Sequence, residues 1–464
     1  MSTFATLQTS RQHSLFASKL NPVIPFLDPN LHLPAENVKQ RSSLLYTTVL
    51  AASCYMVRPQ LSKLCLVLAD RMLDQAVEEN VPSIEVIQAI LILGHWKLPE
   101  ESSSWPRVGY AIRLAQDLRL GLSAAEKTRE GFNRERTWLN LVVPDYHLAI
   151  HHSLPRMLLD AEGEGIEWFD HITANESAVP GDEVLGPLLK FSRLCRAFAD
   201  ALLCVNGDEA KFRLLQRVES QWSHWRKRTD RSTHSPALKA CDAYFRFHLA
   251  EYRLVYCFRR GGNTDLAVPI GKCVDAALGV CVVFLNDIAR AGRTSHCFNL
   301  CWVSLAVCSV WLATNAALML PDEQAAVTQA FADIQTQVRE TKQSDGDMPA
   351  YVDRLLQHLG KRVANPRPPT RAPSPTQARQ VRQSGLDSLA QAAAGAGANE
   401  AIEAFHTLEP VATMEETNAD SSQQEWRTDP WSVDHFCTDF SLPLDQPFPP
   451  SDDEFWRLLL PAAP

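Results

Sequence analysis

Three histidines lie close enough together in the sequence to be considered as metal ligands. His147 and His151 are four residues apart, so a helix would bring both to one face, with His152 beside them. No cysteine, aspartate or glutamate at a suitable spacing completes a coordination set. We therefore expect a histidine pair without a metal and assign no metal-binding residues.

The twelve cysteines contain no Cys-x-x-Cys pair, which argues against a zinc module and against a redox dithiol. Cys297, Cys301 and Cys308 fall on one face of an uncharged helix, where cysteine packs as a small hydrophobic side chain. No basic start followed by an apolar run lies near Met1, which argues against secretion. Free thiols in a reducing compartment are the expectation.

The sequence contains none of the common catalytic motifs: a zincin helix, a nucleophile elbow, a P-loop and a dinucleotide-binding turn are all missing. Asp452 and Asp453 resemble the start of an aspartate-rich magnesium motif, but the third residue beyond Asp453 is Trp456. We expect no enzyme activity and no cofactor. The alternative is a small-molecule-binding helical protein whose pocket is lined by tryptophans: Trp96, Trp105, Trp138 and Trp311.

The elements that position these residues are predicted to be helices, because residues 37–320 lack the alternating β-branched runs of strands. The predicted fold is all-α, a multi-helix bundle. The clearest helix begins near Pro106 and ends at Gly121, with one apolar face. That face consists of Val108, Ala111, Ile112, Ala115 and Leu118.

A second helix runs from about Asn133 into the 150s, with Trp138 inward and a kink expected where Pro144 interrupts the hydrogen-bond ladder. Further helices are predicted from the same periodicity, at about residues 84–94, 185–205, 211–228, 237–259, 271–290 and 322–342. Thr294 to Pro321 carries no charged side chain and is long enough to span a membrane. Its scattered polar side chains favour a buried helix instead, and no membrane contact is expected.

Composition divides the chain into four predicted parts. Residues 1–24 are a disordered segment, 25–360 an all-α domain, 361–424 a basic, alanine-rich linker, and 425–464 an acidic-aromatic segment. Thirteen of the 29 prolines lie beyond residue 360. The six basic residues between 361 and 382 serve either nuclear import or phosphate contact, or are simply solvated. The chain has 54 acidic and 45 basic side chains, so any DNA contact must come from a small basic patch or from a partner protein.

The end of the chain alternates charge with aromatic groups. Residues 425–460 contain seven aromatics, eight carboxylates and two arginines. Such segments keep apolar side chains accessible for docking into a partner's groove, as activation segments do. The side chains expected to make that contact are Trp431, Phe436, Phe440, Phe455, Trp456 and Leu459. The alternative is that these aromatics pack back onto the helical domain.

Residues 104–120 closely resemble the signature helix of the fungal-specific transcription factor domain, the middle homology region of zinc-cluster (Zn2Cys6) regulators. Residues 134–141 followed by Asp145 resemble the next helix of that family, and Pro25 to Pro29 resembles an earlier segment. The resemblance is greatest to activators of the prtT and priB type. Its signature residues here are Trp105, Gly109, Arg113, Asp117, Glu135, Arg136, Trp138 and Asp145. We expect them to be structural, with Arg113 and Asp117 pairing with Glu135, Arg136 and Asp145 between the helices.

The resemblance implies a nuclear DNA-binding family and an activator that recruits coactivator or mediator-type proteins through its tail, with a homodimer possible. The helical domain would hold the tail inactive or bind an effector. The family's six-cysteine zinc cluster is missing, since no cysteine precedes Cys54. Three explanations stay open: a sequence that begins after the cluster, a regulator that acts through a partner, or a domain reused for another purpose.

Two local departures from the family pattern also affect the expected geometry. Arg119 replaces the glycine usual at the end of the signature helix. Leu154-Pro155-Arg156 stands where the family has a Gly-Arg-Pro turn.

Overall fold

A computed structural model describes residues 11–32, 35–96, 104–121, 128–151, 157–158, 178–182, 184–189, 191–192, 207–229, 235–259, 267–344 and 347–366. Within these residues the chain forms helices and no strand, so the predicted all-α class is confirmed. The acidic-aromatic segment, with Trp431, Phe436, Phe440, Phe455, Trp456 and Leu459, lies outside the described residues.

The first group of helices begins with residues 11–15, which continue into a π-helical turn at Phe16–Leu20. Seven α-helices follow: α1 Pro29–His32, α2 Ala35–Arg41, α3 Ser43–Val57, α4 Pro59–Glu78, α5 Ile84–His95, α6 Ser104–Asp117 and α7 Arg129–His151. Ser42 and Ser83 cap α3 and α5 by accepting a backbone N–H. Pro59 begins α4, where its missing N–H costs no hydrogen bond.

The second group consists of α8 Asp208–Thr229, α9 Pro236–Arg259, α10 Ala267–Val283, α11 Asn299–Thr314, α12 Pro321–Thr341 and α13 Met348–Ala364. A π-helical turn, Phe284–Ala289, extends α10. Short described stretches at residues 184–189 and 191–192 are helical as well. These bounds agree with the predicted periodic segments to within a few residues, except that most of the predicted 185–205 helix lies outside the description.

Packing places α11 between the two groups. In the first group, α3 packs on α4 and α5, and α6 packs on α5 and α7. In the second, α9 packs on α10 and α12 on α13, while α11 contacts α9, α10, α13 and also α5. Twelve residues of α11 are buried, including Ser304 and Ser309. The uncharged stretch is therefore a core helix, as its polar side chains indicated.

Another helix is apolar enough to be considered for the membrane. Ala267–Ala289, which joins α10 to the π-helical turn, is the one described helix whose length and composition would allow a span. Half of its most apolar window is buried inside the protein. A core helix of a helical domain shows the same combination.

The prediction that residues 1–24 are disordered is wrong for residues 11–24. Phe16, Leu20 and Ile24 are at most 2% exposed, and their four-residue spacing lets the π-helical turn pack on α3. That spacing was the available signal. At the other end, α13 extends to Ala364, so Lys361 and Arg362 lie in a last helical turn, where the helix dipole favours cations.

Candidate functional site

The signature residues of α6 divide between its two faces. Val108, Ala111, Ile112 and Ala115 are buried as predicted, and Leu118 is half-buried. Gly109 faces the next segment closely, because a Cβ built on it would lie 3.0 Å from the Met157 sulfur. Trp105 is half-buried, whereas Arg113 and Asp117 are exposed. The helix therefore presents its charged signature residues to solvent.

The chain at the end of α6 contains two residues with left-handed backbone, and the second of them packs against α7. Arg119 has a φ of 56°, and the Leu120 N–H bonds the Ala115 carbonyl, as in a Schellman C-cap. Gly121 has a φ of 82°, and a Cβ there would lie 2.3 Å from the Trp138 ring. Helix α6 ends at Asp117, before the predicted stop at Gly121. The left-handed residue that caps it is Arg119, at the position where the family resemblance expects glycine.

The ion pair at the centre of α7 is completely buried. Arg136 donates from Nε and Nη2 to the Asp182 carboxylate at 2.8 and 2.9 Å, and the two side chains are 0% and 2% exposed. Asp182 also accepts the Val179 N–H at 2.9 Å. Arg136 thus fastens the segment around residue 182 to α7. The predicted pairing of Arg136 with the charges of α6 is wrong, because Arg136 points into the core while Arg113 and Asp117 face solvent.

Amide and hydroxyl side chains surround this ion pair. Gln88 donates to Asn133 at 3.1 Å and to Thr137 at 3.0 Å. Asn140 donates to the Pro25 carbonyl at 2.8 Å and to the Arg136 carbonyl at 2.9 Å. All of these side chains are at most 2% exposed. We call the group that joins α5, α7 and the loop before α1 the polar core: Gln88, Asn133, Arg136, Thr137, Asn140 and Asp182.

The loop before α1 is held from both sides. The side-chain oxygen of Asn21 accepts hydrogen bonds from the backbone N–H groups of Phe26 and Leu27. The side-chain NH2 group of Asn21 donates to the backbone carbonyl of Leu27 at 2.8 Å. Asp28, which is fully buried, accepts from the Arg129 guanidinium at 3.2 Å. The Pro25 to Pro29 segment is therefore an inner wall of the polar core, which motif spacing alone did not indicate.

Two buried histidines lie next to this loop. His13 and His32 are each 1% exposed, and the His32 Nδ1 lies 2.9 Å from the Asp28 carbonyl oxygen. Burial lowers the pKa of His13 to about 4, with a further contribution from His32. Burial likewise lowers the pKa of His32. Both rings are therefore neutral at pH 7.

Asp145 and Glu135 complete the α7 signature. Asp145 is buried and accepts the N–H groups of Met157 and Leu158 at 3.2 and 3.1 Å. It thus holds the chain that follows α7, a different role from the predicted contact with α6. Glu135 is half-buried on α7. The helix itself continues through Pro144 to His151.

Three of the four tryptophans that were expected to line a pocket pack into the interior, whereas Trp105 is half-buried. Trp96 contacts Phe16 and Phe26, Trp138 lies against Gly121, and Trp311 meets Phe247 edge-on at 5.7 Å. These three tryptophans are at most 7% exposed. Their contacts are those of core residues.

The described residues contain no candidate metal site, and the cysteines of α11 behave as buried apolar side chains. No group of three histidine, cysteine or acidic side chains there could hold a metal ion. The side chains of His147, His151 and His152 lie outside the description. Burial raises the pKa of Cys301 and Cys308 well above the usual value, so both thiols are protonated and pack as apolar groups.

Comparison with curated proteins finds a sequence similarity to Protein priB of the fungus Lentinula edodes. The two sequences are 28% identical over 219 residues, which cover 45% of this chain and 36% of that protein. The chain is similar to a fungal protein. It spans only about a third of its relative's length. No family model matches it, and no solved structure gives a significant match. The assignment to the zinc-cluster regulators therefore stays a prediction from the motifs.

Proposed function

We propose that this protein is a fungal transcription regulator that acts in the nucleus. In this proposal, residues 25–360 are the regulatory domain and residues 425–464 recruit coactivator or mediator-type proteins. The similarity to Protein priB supports a fungal origin, and the signature motifs of α6 and α7 support the regulator family. The observation that carries the proposal is the acidic-aromatic composition of residues 425–460 behind a helical domain.

The helical domain suits a scaffold for control better than a centre of catalysis. Its charged signature residues either face solvent, as Arg113 and Asp117 do, or hold backbone and partner charges, as Arg136 and Asp145 do. Catalysis needs titratable groups that converge where a substrate can reach them. We therefore propose that the protein has no enzymatic activity and needs no cofactor of its own.

DNA contact is proposed to come from a partner or from protein sequence outside this chain. The formal net charge is −9, and phosphate binding requires clustered cations. The basic residues 361–382 are the one candidate for a local contact, and they also fit a nuclear import signal. We propose nuclear import as their main role.

A tethered reporter tests the proposal. A foreign DNA-binding domain fused to the full chain should activate a reporter, and deletion of residues 425–464 should reduce that activation at least tenfold. The matched control is deletion of residues 385–424, which removes the same length of chain and should leave activation within about twofold. Replacement of Trp431, Phe436, Phe440, Phe455, Trp456 and Leu459 by alanine should act like the first deletion.

Undiminished output after loss of residues 425–464 would contradict the activation role. A companion measurement separates the DNA question: the purified chain should show no specific DNA binding at either low or physiological salt. Specific binding at physiological salt would show that this chain carries its own DNA reader.

A further inference from the structure

Two cysteines of the first group of helices meet where α3 turns into α4. Cys54 lies in the last turn of α3 and Cys65 in the second turn of α4, and a single residue, Arg58, separates the two helices. The Cys54 thiol donates a hydrogen bond to the Cys65 sulfur. We call Cys54 and Cys65 the thiol pair. They are eleven residues apart, so the fold rather than a Cys-x-x-Cys motif brings them together.

The backbone around the thiol pair is fixed on both helices. The Arg58 N–H bonds the Cys54 carbonyl at 2.6 Å, and the Ser62 hydroxyl donates to the Ala51 carbonyl at 2.9 Å. The second bond ties α4 to α3 three residues before each cysteine. Because the two thiols already point at each other across this fixed contact, they meet the main geometric condition for a disulfide bond.

The two thiols differ in their access to solvent. Cys54 is only 2% exposed, whereas Cys65 is half-buried. A small oxidant in solution therefore reaches Cys65 first. Cys54 is shielded from the oxidant but lies against the Cys65 sulfur. An accessible thiol with a second thiol beside it is the arrangement that redox-sensing cysteines use.

The hydrogen bond also makes Cys65 the more acidic thiol of the pair. Donation from Cys54 lowers the pKa of Cys65 to about 7, although burial acts in the opposite direction. The same hydrogen bond, together with burial, raises the pKa of Cys54, against a smaller opposing effect of the Arg58 charge. A large fraction of Cys65 is therefore thiolate at pH 7, and the thiolate is the form of cysteine that reacts.

Another pair of cysteines, in the second group of helices, provides an internal comparison. Cys297 and Cys301 are also joined by a side-chain hydrogen bond, but they are only 7% and 3% exposed. Burial is the main reason that the pKa of Cys301 lies well above the usual value. Contact between thiols is thus common to both pairs. What distinguishes Cys65 is its access to solvent and its lowered pKa.

We propose that Cys65 is a site of reversible oxidation by hydrogen peroxide, and that Cys54 converts the oxidised Cys65 into an intramolecular disulfide. The Cys65 thiolate attacks one peroxide oxygen and breaks the O–O bond, which gives a sulfenic acid and hydroxide. The Cys54 sulfur then attacks the Cys65 sulfur, and the sulfenic oxygen leaves as water with the Cys54 proton. Overall, two thiols and one hydrogen peroxide give one disulfide and two waters. The proposal does not depend on the transcriptional role.

Peptide mapping of the full chain tests the disulfide. Trypsin cuts after Lys63, between the two cysteines, so the bond would join residues 42–63 to residues 64–71. The joined peptide should appear after the reduced, folded chain is treated with hydrogen peroxide at pH 7, and dithiothreitol should separate it again. Cys297 and Cys301 should stay reduced under the same conditions. Peptides that remain separate after peroxide treatment would overturn the proposal.

Two variants at position 54 separate the steps. Cys54→Ser keeps a hydroxyl donor but forms no disulfide, so peroxide should leave Cys65 as a sulfenic acid that dimedone traps. Cys54→Ala removes the donor, so alkylation of Cys65 by iodoacetamide at pH 7 should slow about tenfold and its pH profile should move towards the usual thiol pKa. The matched control, Cys301→Ala, should leave that rate unchanged. An unshifted profile in Cys54→Ala, or no dimedone adduct in Cys54→Ser, would contradict the proposal.

Discussion

The two groups of helices are stabilised by different kinds of core. In the first group, α1 to α7, the interior contains a buried ion pair and several buried amides and carboxylates: Asn21, Asp28, Gln88, Asn133, Arg136, Asn140, Asp145 and Asp182. In the second group, α8 to α13, the interior is mainly apolar and includes Phe247, Trp311, Phe331 and the buried thiols. The ion pair between Arg339 and Asp353 of this group lies near the surface.

The two kinds of core place different demands on the sequence. Buried hydrogen bonds and charges require particular atoms at particular distances, so few residues satisfy each position. An apolar core accepts many side chains of similar volume. Buried positions in the first group of helices should therefore tolerate few substitutions. Buried positions in the second group should tolerate apolar side chains of similar volume.

The largest expected effect distinguishes two ion pairs of equal length and different burial. Arg136 to Asp182 and Arg339 to Asp353 both measure 2.8 Å. Asp182→Asn should lower the free energy of unfolding by about 3–5 kcal/mol, because it leaves a buried guanidinium without its counter-charge. Asp353→Asn should cost less than about 1 kcal/mol. Urea denaturation measures both, and equal losses would remove the contrast between the halves.

In the second group of helices, stability should depend more on the volume of a buried side chain than on its chemical type. Leu312 in α11 is completely buried. Leu312→Ala should lower the free energy of unfolding by about 2–5 kcal/mol through the cavity it creates. Leu312→Met, which conserves volume, should cost less than about 1.5 kcal/mol. If Leu312→Met lowers the free energy of unfolding as much as Leu312→Ala does, the second group tolerates substitutions no better than the first.

Low pH should destabilise the first group of helices before the second. An unfolded histidine has a pKa near 6.5, whereas His13 stays neutral in the folded protein down to about pH 4. The unfolded chain therefore binds more protons between these values, so stability is complete above about pH 6.5 and falls as the pH decreases. We expect a loss of roughly 1–3 kcal/mol by pH 4.5.

Replacing His13 by leucine isolates this contribution. Among the described residues, neither nitrogen of the His13 ring has a hydrogen-bond partner, so the variant loses no hydrogen bond there. Urea titrations at pH 7.5 and 4.5 should give a smaller pH dependence for His13→Leu than for the wild type. An unchanged pH dependence would assign the acid sensitivity to other groups.

The smallest effect concerns the end of α6. Arg119 has a φ of 56°, which costs a residue with a Cβ about 1–2 kcal/mol. Arg119→Gly should therefore raise the free energy of unfolding by about 0.5 kcal/mol after the entropy of glycine is subtracted. Arg113→Gly, at an exposed arginine inside the same helix, should lower it by about 1 kcal/mol. A thermal melt of the two variants should show shifts of opposite sign.

Much of the fold could be predicted from the sequence because helix signals are local. Pro106 in the first turn of α6 and the apolar face of that helix each act within one or two turns of the chain. The core helix α11 was also predicted, because an uncharged stretch with scattered polar groups suits burial. The helical turn near Phe16 was missed, although its apolar spacing was present.

The partners of the signature residues were decided by tertiary structure alone. Arg136 pairs with Asp182, which is 46 residues away, and Asn140 bonds the Pro25 carbonyl, which is 115 residues away. Sequence identified Arg136 and Asp145 as structural side chains, because their types and positions on α7 are local facts. It could not choose between α6 and the distant segments as their partners. That choice depends on which loops return to the helix, and only the folded chain brings those groups to hydrogen-bonding distance.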